Sequence, residues 1–261
     1  MTRTDCKIVF FDIDGTLLDS NHLIPESTVR SIQELQQAGI ETVIATGRTP
    51  ANFGHIREQL GIHSYVSLNG GYVVREGQVL ASTKMQLHHM DQLNALATAR
   101  GHAIGWIGTE QIGLYADHPS VRRVLELFGM EVPPIDPAFH QQCDIYQGML
   151  FCPEDEIHPY VESIPDLSYV RFDQHAVDVL PRHTNKAAGI AHYLKAVGVD
   201  AASCIAFGDG LNDIEMLQSV GLGIAMGQAR EEVKRAAKRV THSVDDEGIA
   251  AALLDLGLIG A

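Results

Sequence analysis

Two carboxylates, Asp12 and Asp14, stand one residue apart in the segment KIVFFDIDGTLLDS, after four apolar residues and just before Gly15 and Thr16. Two unit charges 4 Å apart repel by about 1 kcal/mol in water and about 4 kcal/mol at an effective dielectric of 20. Such a pair at the end of a buried run calls for a cation. A second acidic cluster, GDGLND, adds Asp209 and Asp213, with Asn212 between them. Oxygen donor sets of this kind suit Mg²⁺, which keeps some waters and commonly binds one or two carboxylates plus substrate phosphate. Thr46, in ATGR, and a lone Lys186 would complement a phosphate with a hydroxyl donor and a point charge. Short glycine-containing turns, Gly47 among them, expose backbone N–H groups that can hold phosphate oxygens. An aspartate with an ordinary pKa of about 3.9 is ionised at neutral pH and needs no base to attack phosphorus. A second carboxyl two residues on can handle protons, first for the leaving group and then for water.

These groups must be brought together by the elements around them. Residues 7–11 read as a strand buried on both faces of a parallel sheet. LIPESTVRSIQELQQAG predicts a helix with Pro25 in its first turn, Val29, Ile32 and Leu35 on one face, and Gly39 as its stop. IETVIATGR predicts a second strand, Pro50 to Leu60 a helix, and YVSLNGG a third strand. That alternation implies right-handed crossovers and a parallel sheet. YVVREGQVLAS reads as a hairpin turning at Glu76-Gly77. After about residue 82 the rhythm changes to paired strands, with helices expected near HHMDQLNALATARG, SVRRVLELFG (120–129) and DEIHPYVESI, and a loop at VPPIDPAFHQQ. The βα rhythm resumes at NKAAGIAHYLKAVGV and runs through CIAFGDGLNDIEMLQSV and GLGIAM to EGIAAALLDLG. The expected fold is α/β: a doubly wound parallel-sheet core over residues 1–83 and 184–261, with an inserted α+β domain over 84–183. In open α/β sheets ligands bind beyond the carboxyl ends of strands. Asp12/Asp14, Thr46/Gly47/Arg48 and Asp209/Asn212/Asp213 all fall at such ends, and Lys186 opens the helix leading into the last of them.

Each feature alone has a plainer reading. A DxD is usually a turn, a Thr after a strand is often a helix cap, and a lone lysine is usually at the surface. DIDGTL misplaces the glycine of an EF-hand, and GLGIAMG has the wrong spacing for a dinucleotide fingerprint. The argument rests on the joint occurrence, in order and at the right strand ends.

Composition bounds the rest. The chain has 261 residues, 45% apolar and 20% charged, with 19 basic against 33 acidic residues and a formal charge of −14. No basic block is present, which argues against a nucleic-acid partner. Cys6, Cys143, Cys152 and Cys204 are scattered, neither a disulfide framework nor a zinc site. The opening residues do not resemble a signal peptide, and no apolar run approaches membrane length. The expectation is a cytoplasmic protein with no membrane partner; nothing in the periodicity specifies an oligomeric state.

FFDIDGTLLD, ATGR, NKAAGI and FGDGLNDIEML resemble the four ordered motifs of the haloacid dehalogenase superfamily, and the long insert resembles that of its Cof-type phosphatases, subclass IIB. VSLNGG and the C-terminal GIAMGQAREEVKRAAKRVTHSVDDEGIAAAL are also similar to Cof-type sequences. The resemblance implies that Asp12 is the nucleophile, forming an aspartyl-phosphate, and that Asp14 is the general acid and base, touching Mg²⁺ through its backbone carbonyl. It implies that Thr46 and Lys186 hold the phosphoryl group, that Lys186 steadies Asp12, and that Asn212 supports Lys186 and the phosphate. Asp209 would bind Mg²⁺, with Asp213 beside it, directly or through water. Arg48 and Asn69 would line the substrate side. Dehalogenases lack the acid at the Asp14 position and transport ATPases carry Thr there, so its presence implies phosphate-ester hydrolysis. Two departures are Ala187, where Gly is common, and Gln228, where Asn is common.

The leading expectation is therefore a Mg²⁺-dependent phosphatase of a small phosphorylated metabolite: a sugar phosphate, nucleotide or phosphorylated cofactor. The insert would be a cap that closes over the crevice and reads the leaving group. A phosphomutase or phosphotransferase would use the same intermediate but release no free phosphate. An Asp-phosphorylated signalling module is about half this length and has no insert. A non-catalytic binding protein would have no need of the full set of catalytic side chains. Asp178 and His183 are candidates for substrate contact, although surface placement is the plainer reading.

Overall fold

The computed structural model describes residues 6–127 and 131–260. The chain lays down β1 (Ile8–Phe11), α1 (Glu26–Gln37), β2 (Glu41–Ala45), α2 (Gly54–Leu60), β3 (Tyr65–Ser67), β4 (Tyr72–Arg75) and β5 (Gln78–Ser82). Next come α3 (Leu87–Arg100), β6 (Ala103–Ile107), β7 (Ile112–Leu114), α4 (Pro119–Leu127), α5 (Phe139–Gln142), β8 (Gln147–Phe151), α6 (His158–Ser163), β9 (Leu167–Asp173) and β10 (Ala176–Pro181). It finishes with α7 (Lys186–Val197), β11 (Cys204–Gly208), α8 (Ile214–Ser219), β12 (Leu222–Ala225), α9 (Glu231–Ala236), β13 (Arg239–Val240) and α10 (Gly248–Asp255). Two compact units result: residues 1–48, 53–82 and 185–261, and residues 49–52 and 83–184.

The first unit holds an eight-stranded sheet in the order β13-β12-β11-β1-β2-β3-β4-β5. Its strands from β13 to β3 pair in parallel, and β4 and β5 add an antiparallel hairpin. β1 lies mid-sheet, which explains its unbroken apolar run: Val9 and Phe11 face one core, Ile8 and Phe10 the other. The first core takes Ile32 and Leu35 of α1, Ile56 and Leu60 of α2, and Ile249 and Leu253 of α10. The second takes Ile190 and Leu194 of α7, Met216 and Leu217 of α8, and Val233 of α9. Helices on both faces make this the expected doubly wound α/β sheet. The sheet is further tied by the stacked rings of Phe11 and Phe207, 5.4 Å apart.

The second unit has a five-stranded antiparallel sheet, β7-β6-β8-β10-β9. Its own core is centred on the fully buried Trp106, whose indole N–H donates to Asn94 Oδ1 at 3.0 Å. The short segment 49–52 belongs here because the Thr49 hydroxyl meets the carbonyls of Gly108 (2.9 Å) and Thr109 (2.6 Å).

Local details depart from the sequence reading. The helix expected over 50–60 begins as a 3₁₀ turn, Pro50–Phe53, before α2. The stretch expected to be a loop contains α5, preceded by a turn in which the Asp136 side chain accepts the Ala138 N–H, and anchored by buried Phe139. The expected helix over 155–164 shortens to α6, after a 3₁₀ turn at Glu154–Glu156. α4 runs Pro119–Leu127; the expected end of that helix at 128–129 lies outside the described residues. His183 is exposed at φ +65° and Asp178 is half-buried on β10.

Candidate active site

The site collects at the carboxyl ends of the parallel strands. Asp12 follows β1 directly, its N–H held by the Phe207 carbonyl of neighbouring β11 at 3.0 Å, and it is buried. Asn185 caps α7 by accepting the Ala188 N–H, which makes Lys186 the helix's first residue. The Lys186 side chain is fully buried, and its ammonium donates to Asp12 Oδ1 at 2.6 Å and Asp213 Oδ1 at 2.7 Å. Asp213 Oδ2 accepts the N–H groups of Asp209 (3.0 Å) and Gly210 (2.9 Å), which ties the turn after β11 to the lysine. Asp12, Asp209 and Asp213 bring one oxygen each within 4.8 Å of one another.

The electrostatics follow. Burial, and then Asp213, pushes the Asp12 carboxyl well above its ordinary value against the opposing pull of Lys186. Burial alone would push the Lys186 ammonium down; Asp12 and Asp213 outweigh that and raise it. Burial and Asp213 push Asp209 up to about 6. Both carboxyls rise because burial first, and like charge second, disfavour the ionised form. Three carboxylates, hard oxygen donors at this spacing, fit a hard divalent cation. The Asp14 carboxylate stands apart: it is the more exposed partner of a fork to Arg48, with Nε at 2.9 Å and Nη2 at 2.5 Å.

The other expected residues surround this group. Thr46 is buried after β2, and its hydroxyl oxygen accepts the Arg48 N–H at 3.1 Å. Leu68 and Asn69 both adopt positive φ, 52° and 50°, a conformation that bulky residues rarely take. That turn buries the Asn69 side chain beside Gly47 and lets Asn69 Oδ1 accept from the Asn212 amide at 3.0 Å. Asn212 thus meets Asn69, while the Lys186 ammonium donates to Asp12 and Asp213. Gly15, at φ +71°, passes so close to Asp209 that a Cβ would fall 2.2 Å from Oδ2. Two contacts were not read from the sequence. The Thr16 hydroxyl reaches Asp209 Oδ1 at 3.4 Å, and Gln228 donates to the Gly15 carbonyl. The departure at Gln228 was the one signal pointing there.

Residues 9–253 match the model of the haloacid dehalogenase-like hydrolases. The chain belongs to this family. It is 39% identical to YkrA of Bacillus subtilis over 256 residues, 98% of this chain and 99% of the other. A solved Geobacillus kaustophilus protein is 45% identical, with a TM-score of 0.91 over 97% of this chain and all of the other. The subclass IIB sugar phosphatase BT4131 is 29% identical, with a TM-score of 0.87 over the same shares. The chain is accordingly a hydrolase of phosphoric monoesters, of the Cof-type, subclass IIB group. Among the described residues no helix is long and apolar enough to cross a membrane.

Proposed function

We propose that the protein is a cytoplasmic, Mg²⁺-dependent phosphatase of a small phosphorylated metabolite that works through an aspartyl-phosphate. The observation that carries this reading is the buried Asp12 carboxylate with Oδ1 held by Lys186, while Asp14, two residues on, keeps an exposed carboxylate. Asp12 attacks phosphorus, the ester P–O bond breaks, and Asp14 protonates the leaving oxygen. Asp14 then takes a proton from water, which attacks the phosphorus. The Asp12–phosphorus bond breaks, releasing phosphate and restoring the carboxylate. Lys186 holds Asp12 in line and offsets phosphoryl charge together with the Thr46 hydroxyl and the N–H groups of the Gly47 turn. Arg48 guards Asp14 and, when their fork opens, faces the substrate, with Asn69 and Asn212 bracing that side.

Asp12, Asp209 and the Asp14 carbonyl would hold Mg²⁺, with Asp213 acting through water because both its oxygens already have protein donors. Bound there, the ion supplies charge neutralisation for nucleophile and phosphate. Residues 84–183 form the cap in this reading. The substrate is a sugar phosphate, nucleotide or phosphorylated cofactor; the likeness to a sugar phosphatase makes sugar phosphates the first to screen.

Asp12→Asn should abolish release of free phosphate from an aryl phosphate while the circular dichroism spectrum is unchanged. Turnover that survives in this variant, or in EDTA, would sink the mechanism. Phosphate moved to an acceptor sugar with none set free would mark a mutase instead.

A further inference from the structure

The Gln228 side chain is exposed, yet both ends of its amide are engaged. Its Nε2 donates to the Gly15 carbonyl and lies 3.5 Å from Asp209 Oδ2. Its Oε1 accepts the Val244 N–H at 3.1 Å. The backbone beneath it is anchored: Met226 N–H donates to Gly208 at 3.0 Å and Gly227 N–H to His242 at 2.9 Å. One side chain therefore joins the loop after β1, the loop after β11, the loop after β12 and the turn at Val244–Asp246. Thr16 approaches the other oxygen of Asp209. The carboxylate thus has one neutral donor at each oxygen, and Gly15 packs against its flank.

We propose that Gln228 is a positioning residue: it orients the Asp209 carboxylate and the Asp14-Gly15-Thr16 backbone for a divalent cation. This rests on the Mg²⁺ reading above. An amide suits the task because it offers donor and acceptor without charge. A lysine there would compete with the cation, and a carboxylate would add repulsion to the acidic cluster. Groups that orient a ligand to a metal typically change its affinity by 10–100-fold when removed.

The test is calorimetric titration of MgCl₂ into the metal-free full chain, for wild type, Gln228→Met and Gln228→Ala. Methionine keeps the length and removes every hydrogen bond. Both variants should bind Mg²⁺ about 10-fold more weakly, at the lower end of that range because the side chain is exposed. The metal-free unfolding midpoint should match wild type. A Kd within twofold of wild type in both variants overturns the proposal. So does a matching fall in metal-free stability, which would make Gln228 a brace of the fold. Wild type that takes up no Mg²⁺ overturns the metal reading itself, a result distinct from equal binding by all three proteins.

Discussion

Asp209 carries the clearest thermodynamic consequence of the site. Its folded pKa of about 6 lies above the ordinary 3.8, so the folded state binds its proton more tightly than the unfolded state does. The stability this contributes is present in full below pH 4 and is lost as pH rises through 6. Asp209→Asn cannot ionise and escapes that loss. At pH 7, without metal, the variant should be more stable than wild type by on the order of 1–2 kcal/mol, after discounting for partial exposure. The two should converge near pH 4, and only wild type should gain stability from Mg²⁺. Thermal unfolding across pH checks this; a variant less stable at pH 7 refutes it. At this scale the sequence was informative about residue type and less so about pairing. Asp12, Asp209, Asp213 and Lys186 do meet, because each sits at an element end whose place the sheet dictates. The Asp14–Arg48 fork and the Asn69–Asn212 contact depend on side-chain rotamers and on a positive-φ turn, which spacing alone does not encode.

Helix α7 must come very close to the sheet to deliver Lys186. A Cβ at Gly189 would fall 2.5 Å from Val66 Cγ1 and 2.7 Å from the Gly70 Cα. Gly70, at φ +94°, in turn approaches the Asn185 carbonyl, where a Cβ would sit 2.0 Å away. Gly189→Ala should therefore cost about 1–3 kcal/mol by overpacking and shift the lysine it carries into place. A urea melt reads the first effect and kcat/KM the second; a variant with wild-type values in both would show that α7 has room to spare. The strands were legible as elements because β1 and β11, buried on both faces, cannot alternate. The hairpin was legible too: Glu76 and Gly77 take positive φ, at 46° and 76°. α5 was not, because a four-residue helix has no periodicity to detect.

On the scale of the molecule, each unit has a core of its own, and the chain's single tryptophan, Trp106, is in the second. Fluorescence therefore reports one unit and circular dichroism both. With the acidic cluster wholly in the first unit, Mg²⁺ should raise the unfolding midpoint seen by circular dichroism and leave that seen by Trp106 nearly unchanged. Equal shifts by both probes would show that the units unfold as one.

The four residues 49–52 have a genetic consequence. Joining residue 82 to 185 would delete Gly108 and Thr109 yet leave Thr49 behind, its buried hydroxyl deprived of both acceptors. The second unit is thus written in two separate passages of the gene, one of them only four codons long. Because both acceptors are backbone carbonyls, recombination that swaps the long passage between relatives keeps Thr49 satisfied wherever the incoming chain brings that turn to the same place.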